Sequence, residues 1–146
     1  MTGKLNVGLK REHPDAIMPA YAKPGGAGMD FFAYDSYEIA VGKRLLIPTG
    51  WAMAIPKGYE LQIRPRSGLA LKHGITVANS PGTVDSGYRG EIGVILINHG
   101  KETFNISRQE RIAQGVLAKV EEAEFEIVSE LSETERGTGG FGHAGK

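Results

Sequence analysis

Short apolar runs recur along the chain between glycine, proline, asparagine and aspartate. They fall at Leu5–Leu9, Gly28–Tyr34, Tyr37–Val41, Arg44–Pro48, Trp51–Ile55, Ile75–Val77, Glu91–Asn98, Thr103–Ile106, Ile112–Val120 and Glu124–Val128. Between Gly58 and Arg66, polar and apolar residues alternate, the period of a half-buried strand. Many short strands at such spacing predict a sandwich or barrel of mostly antiparallel strands. Pro48 and Pro56 bracket Trp51–Ile55, which fits turns or edge positions. One short helix is expected, with Ser67 as N-cap, Gly68–His73 as its body and Gly74 as its stop. Asn79 to Gly90 reads as a β-hairpin: Gly and Pro stand where the chain bends, and Val84 and Tyr88 favour strand. From Ser129 onward the chain turns polar and then glycine-rich. A domain over 1–128 and a flexible tail over 129–146 are expected, because the tail has too little apolar surface to fold alone.

Composition narrows the function. The 146 residues suffice for one domain with a hydrophobic core. Lys+Arg and Asp+Glu each number 17, which argues against a nucleic-acid coat or a membrane-surface protein. A small anionic ligand needs only a local cluster and stays open. With no cysteine, thiolate metal sites, disulfides and cysteine nucleophiles are ruled out. No run approaches the ~18 apolar residues of a membrane span, and Met1–Lys10 is short and mixed. The expected setting is cytoplasmic, with no membrane partner.

Five segments could carry chemistry, and each has a plainer reading. Arg64-Pro65-Arg66-Ser67-Gly68 leads two arginines into a helix start, where free N–H groups and guanidinium can hold an anion; a capped helix with surface arginines explains it as well. Asp85 could activate water, since a solvated carboxylate is ionised at neutral pH, and Tyr88 could lie flat on a sugar or base; an Asp turn and a core Tyr are the alternative. Asp30, in Ala27-Gly28-Met29-Asp30, could hold a metal's water shell or an arginine. Gln114, in Arg111-Ile112-Ala113-Gln114, could bond a ligand or be a strand-edge amide. In the tail, Arg136 could neutralise a terminal phosphate and Phe141 could stack on a base, or both could belong to a disordered terminus. Gly140 to Lys146 has the spacing of a P-loop, but no strand-like run leads into it. The histidines His13, His73, His99 and His143 lack metal-ligand spacing.

Together and in this order, these segments resemble the homotrimeric dUTP diphosphatase (dUTPase) family across nearly the whole chain. The matching motifs are Ala27–Asp30, Arg66–Ala70, Gly82–Gly90, Arg111–Gly115 and Arg136–Gly142. The resemblance implies an all-β jelly roll of the β-clip type, assembled as a homotrimer whose active sites are shared between subunits. It implies hydrolysis of dUTP to dUMP and diphosphate with Mg²⁺, which limits uracil in DNA and supplies dUMP for thymidylate synthesis. No nucleic-acid partner is implied.

The same resemblance assigns roles. Asp85 activates the water that attacks the α-phosphorus. Tyr88 lies beneath the deoxyribose and leaves no room for a 2′-hydroxyl. The backbone around Asn79, Thr83, Val84 and Gly93 reads the uracil edge. Arg66, Ser67 and Gly68 hold the phosphate chain, and Gln114 is a phosphate-side or water-bridging group. Arg136 acts as an arginine finger, and Phe141 stacks over uracil as the tail closes. The metal rides on the triphosphate and water without a direct protein ligand, Asp30 supporting its water shell. Three positions depart from the family pattern: Met29 stands for an aromatic, and His143 and Ala144 stand where hydroxyl residues usually follow Phe141-Gly142. The related dCTP deaminases are disfavoured, because Gly68 follows Ser67 and Tyr88 is present.

Overall fold

A computed structural model describes residues 3–145. Met1, Thr2 and the last tail residue, Lys146, lie outside the described residues. The elements are β1 (Gly8–Arg11), β2 (Ala20–Tyr21), β3 (Met29–Phe32), β4 (Tyr37–Ile39), β5 (Arg44–Ala54), β6 (Tyr59–Arg64), α1 (Ser67–His73), β7 (Ile75–Val77), β8 (Gly82–Val84), β9 (Glu91–Asn98), β10 (Phe104–Ile106) and β11 (Arg111–Lys119). One sheet has the order β1-β5-β9-β7, a second β2-β3-β11-β6-β8, and β10 pairs with β4. The expected all-β fold of antiparallel strands with one short helix is observed. No helix among the described residues is long and apolar enough to cross a membrane.

Alternation drives the burial. Along β9, Ile92, Val94, Leu96 and Asn98 are buried and the residues between them are half-buried. Leu61 and Ile63 of β6, Met29 and Phe31 of β3, and Ile112 of β11 join the same core cluster. Each fully buried Ile, Leu or Phe contributes about 1.5–3 kcal/mol, so a one-residue slip of any central strand is strongly disfavoured. The buried polar side chains are bonded. Asn98 Nδ2 donates to the carbonyls of Ile39 and Glu102. Thr49 Oγ1 donates to the Ile92 carbonyl at 2.6 Å.

Several boundaries differ from the sequence reading. Arg44–Pro48 and Trp51–Ile55 form one strand, β5, whose pairing with β9 breaks between Pro48 and Ala52. The Thr49 hydroxyl caps a carbonyl inside that break. β1 pairs with β5 only from Trp51 onward, so Pro48 has an open side where its missing N–H is tolerated. The first strand begins at Gly8 rather than Leu5, and the two-residue β2 had no periodic signal. Glu124–Val128 is not a strand: its alternation offers an apolar face, but no strand among the described residues pairs with it, and Phe125 and Ile127 are 93% and 101% exposed. Arg66, in an extended conformation, is the N-cap of α1, and no side chain caps the helix. The first helical bond runs from the Ala70 N–H to the Arg66 carbonyl, so Ser67 is already in the helix. Gly74 ends it with φ 68°.

Asn79–Gly90 is also not a simple hairpin. β7 and β9 are the paired arms, with Ile75 opposite Asn98 and Val77 opposite Leu96. Between them β8 leaves that sheet and pairs with β6 in the other, Thr83 opposite Gln62. The segment therefore bridges the two sheets at one end of the sandwich.

Candidate functional site

β3, β11 and the β6–α1 junction bring one group together. Asp30 of β3 opposes Gln114 of β11, and Gln114 opposes Arg64 of β6 on its other side. Asp30 Oδ1 lies 3.9 Å from Arg66 Nε, and Oδ2 lies 3.6 Å from Arg111 Nε. The Asp30 side chain is 14% exposed, so its charge is compensated where water is scarce. Gln114 Nε2 donates to the Pro65 carbonyl at 2.9 Å, tethering the residue before Arg66. A Cβ on Gly28 would overlap Gln114 Oε1, so this side-chain position needs glycine beneath it. Asp30, Arg66, Ser67, Gly68, Arg111 and Gln114 line an open cavity of about 250 Å³.

A second group forms on the segment between β7 and β9. Asp85 is exposed, and its carboxylate has no hydrogen-bond or ion-pair partner among the described residues. The Tyr88 N–H donates to the Asp85 carbonyl at 3.1 Å, closing a turn. Tyr88 Oη donates to the Glu91 carbonyl at 2.9 Å. A Cβ on Gly90 would lie 2.5 Å from that hydroxyl, so a larger residue there would move the ring. Arg89 Nη1 donates to the carbonyls of Ser86 and Tyr88, at 2.7 and 3.1 Å, and holds the turn from outside. Asn79 lies beside Gly82, whose added Cβ would be 3.2 Å from Asn79 Nδ2. The Ser80–Pro81 peptide is cis. Thr83 is exposed and Val84 half-buried. Gly93 lies on β9 opposite Pro48, and β8 belongs to the other sheet. Behind the turn, burial and then the Glu91 carboxylate hold the Tyr34 hydroxyl above the ordinary phenol range. Tyr37 is raised by burial, then by Asp35 and Glu91.

The tail residues stand apart. Arg136 Nε donates to the Gly139 carbonyl at 2.7 Å, and Phe141 is fully exposed. The tail's hydrogen bonds among the described residues stay within 134–145. No hydrogen bond or ion pair among the described residues joins the Asp30 group, the Asp85 turn and the tail. Gly28, Arg89, Gly90 and Arg111 lie inside the motif segments, but residue type alone gave them no part in the site. The irregular spacing of Arg111 and Gln114 was the available signal.

The dUTPase family model matches residues 14–145. The chain belongs to the dUTPase family. It is 57% identical over 143 residues to a deoxyuridine 5′-triphosphate nucleotidohydrolase of Wolinella succinogenes, covering 98% of this chain and 96% of that protein. Against the enzyme of the same name from Syntrophotalea carbinolica, identity is 54% over 143 residues, with 97% of each covered. Among solved structures, the dUTPase of Staphylococcus bacteriophage 80alpha with dUPNHPP superposes with a TM-score of 0.91 at 26% identity, covering 98% of this chain and all of that one. This fold is thus shared with a phage member of the family.

Proposed function

We propose that this chain hydrolyses dUTP to dUMP and diphosphate. The observation that carries the proposal is the pairing of an unpartnered, exposed Asp85 on a turn beside Tyr88 with a separate arginine-lined cavity, in a chain 54–57% identical to named dUTP nucleotidohydrolases. Asp85 accepts a proton from water, and the resulting nucleophile attacks the α-phosphorus. The bond from that phosphorus to the bridging oxygen breaks, and diphosphate departs. A general base of this kind is worth about 10²–10⁴ in rate.

Selection precedes chemistry. Backbone groups near Asn79, Thr83, Val84 and Gly93 bond the uracil edge, and cytosine leaves those groups unpaired. The Tyr88 ring is latched to Glu91 and packed over Gly90, so a ribose hydroxyl meets a fixed wall. Arg66, Ser67, Gly68 and Gln114 hold the phosphate chain. Arg136 neutralises its far end, and Phe141 covers the base as the tail 129–146 closes. Because one chain leaves these three groups unconnected, a homotrimer that assembles each site from several subunits is the arrangement proposed.

The donor set fits a Mg²⁺ carried on the substrate. The described residues hold no cluster of three or more His, Asp or Glu able to cage a metal, and both oxygens of Asp30 face arginines. Triphosphate oxygens and water would hold it, and there it would offset phosphate charge. The proposed setting is the cytoplasm, where the reaction keeps uracil out of DNA and supplies dUMP.

The test is to incubate the protein with Mg²⁺ and each of dUTP, dCTP, dTTP and UTP, and to resolve the products by chromatography. Turnover of dUTP alone, to dUMP and diphosphate, is expected. Ammonia from dCTP, or no turnover of dUTP, would sink the proposal.

A further inference from the structure

The break in β5 is built to hold the first residues of β9. Pro48 opposes Gly93 and Ala52 opposes Glu91, so Thr49, Gly50 and Trp51 face the single residue Ile92. Three residues against one cannot all pair across a ladder, and the freed backbone groups need other partners. Side chains supply them. Thr49, fully buried, donates its hydroxyl to the Ile92 carbonyl at 2.6 Å. The Gly50 N–H donates to Glu91 Oε2 at 3.2 Å. The Gly50 carbonyl accepts the Glu12 N–H at 2.7 Å, and Trp51 Nε1 donates to the Ile17 carbonyl at 2.8 Å. Gly50 is buried with φ 82°, and a Cβ there would overlap Ala16 and lie 3.1 Å from the Tyr34 ring. The Gly50 peptide is therefore a fixed point, bonded at its N–H and its carbonyl and closed in by side chains.

We propose that Glu91 is the positioning residue of the sugar wall: by binding the Gly50 N–H in the β5 break it fixes the carbonyl that holds the Tyr88 hydroxyl, and so sets how well the site excludes a ribose. This rests on the dUTP-hydrolysing reading above. Glu91 is engaged at both ends. Its carboxylate reaches back to β5, and its carbonyl accepts Tyr88 Oη at 2.9 Å. Tyr88 is 46% exposed, so packing alone does not fix its ring. The bond to Glu91 is the one hydrogen bond of the Tyr88 side chain among the described residues. That bond spans only three residues, and a turn latched to itself can still move as a unit. The far end of the latch must be tied to the sandwich, and the Glu91 carboxylate makes that tie where the ladder is broken. A bond from an N–H to an ionised oxygen is stronger than one between neutral groups. Glu91 is half-buried, and its charge acts on the Tyr34 and Tyr37 hydroxyls, which places the carboxylate over the β5 break and not out in solvent. A wall that excludes one hydroxyl discriminates only as well as it is held, because a shift of about 1 Å in a positioned group changes rates by up to 10².

The experiment measures, by calorimetry in Mg²⁺, the binding of non-hydrolysable analogues of dUTP and of UTP, with a thermal melt of each variant. Wild-type protein is expected to prefer the deoxy analogue. Glu91→Ala should lower that preference about tenfold, near the worth of one hydrogen bond to a charged group, chiefly through tighter binding of the ribo analogue. Glu91→Asp keeps the charge but is one methylene too short for the Gly50 N–H. It should lose as much, and it carries the test if the alanine variant does not fold. Glu91→Gln keeps an oxygen acceptor and should retain the preference within about threefold. Wild-type preference in both the alanine and the aspartate variants overturns the proposal, even with a lowered Tm, since Glu91 would then only support the strand. A glutamine variant as unselective as the alanine one also overturns it, because the bond to Gly50 would not be the cause. So does a wild-type protein with no preference between the two sugars. Wild-type protein that prefers the deoxy analogue but hydrolyses no dUTP refutes the proposed function alone, and the Glu91 result is still read from the two analogues.

Discussion

Asp85 stands at the surface with its carboxylate unengaged, while its backbone closes the turn that carries Tyr88. A carboxylate kept for turn formation would spend its oxygens on nearby N–H groups; this one does not. Asp85→Asn is therefore expected to bind a dUTP analogue within a few-fold of wild type and to lose about 10²–10⁴ in turnover. Calorimetry together with product assays checks this, and unchanged turnover would remove Asp85 as the base. The tyrosines behind the turn give a pH signature. Tyr34 and Tyr37 hold their protons more tightly in the folded protein than in the unfolded chain. Their contribution to stability is complete below the unfolded value of about 10 and is lost as pH rises through the higher folded values. Thermal melts should show Tm falling above about pH 10, and a double Tyr→Phe variant should fall less steeply. At this scale Asp85, Tyr88 and Arg66 were legible as candidates, each with a plainer reading as turn, core or helix cap, and only their joint order with the other motifs favoured the site. Arg89 and Gly90 were not, since their parts depend on which carbonyl or ring lies nearby.

Among the elements, the strands whose alternation feeds the core were legible in the sequence. β6 and β9 lie where their patterns predict, because each buries every second side chain. Pairing was less legible. Nothing local in Asn79–Gly90 says that β8 pairs with β6 instead of β9, a choice made by the two sheets meeting there. Glu124–Val128 shows the converse, with good alternation and no partner strand among the described residues. The bulge in β11 between Arg111 and Ala113 left a visible trace, since Arg111 and Gln114 stand three residues apart where a regular strand would separate residues on one face by two or four. The contact between β11 and the segment before β3 yields a prediction. Gly28→Ala should push Gln114 off the Pro65 carbonyl and loosen the Arg66 segment. Analogue affinity is expected to drop about tenfold, the worth of a lost part-buried hydrogen bond and its consequences, with Tm changed by only a few degrees. Equal affinity for both proteins would show that the Gln114 tether does not set the phosphate grip.

For the whole molecule, the arrangement is a sandwich with an arginine-lined cavity on one sheet, the exposed Asp85 turn at one end, and a tail whose hydrogen bonds among the described residues stay within 134–145. One chain keeps these parts unconnected, which is why the proposed site is shared. Sequence pattern alone gave no trimer, because subunit contacts leave no period in a single chain; the exposed Phe125 and Ile127 are apolar surface that a neighbouring subunit could cover. Removing residues 136–146 should cut turnover about 10³-fold, in the range known for arginine fingers. Light scattering should still report a trimer, and full activity without the tail would refute its closing role. The central claim is that water aimed from Asp85 attacks the α-phosphorus of dUTP. It is tested most directly by hydrolysing dUTP in water enriched in the heavy oxygen isotope and weighing the products by mass spectrometry. The account predicts the label in dUMP and none in diphosphate; label in diphosphate would contradict it.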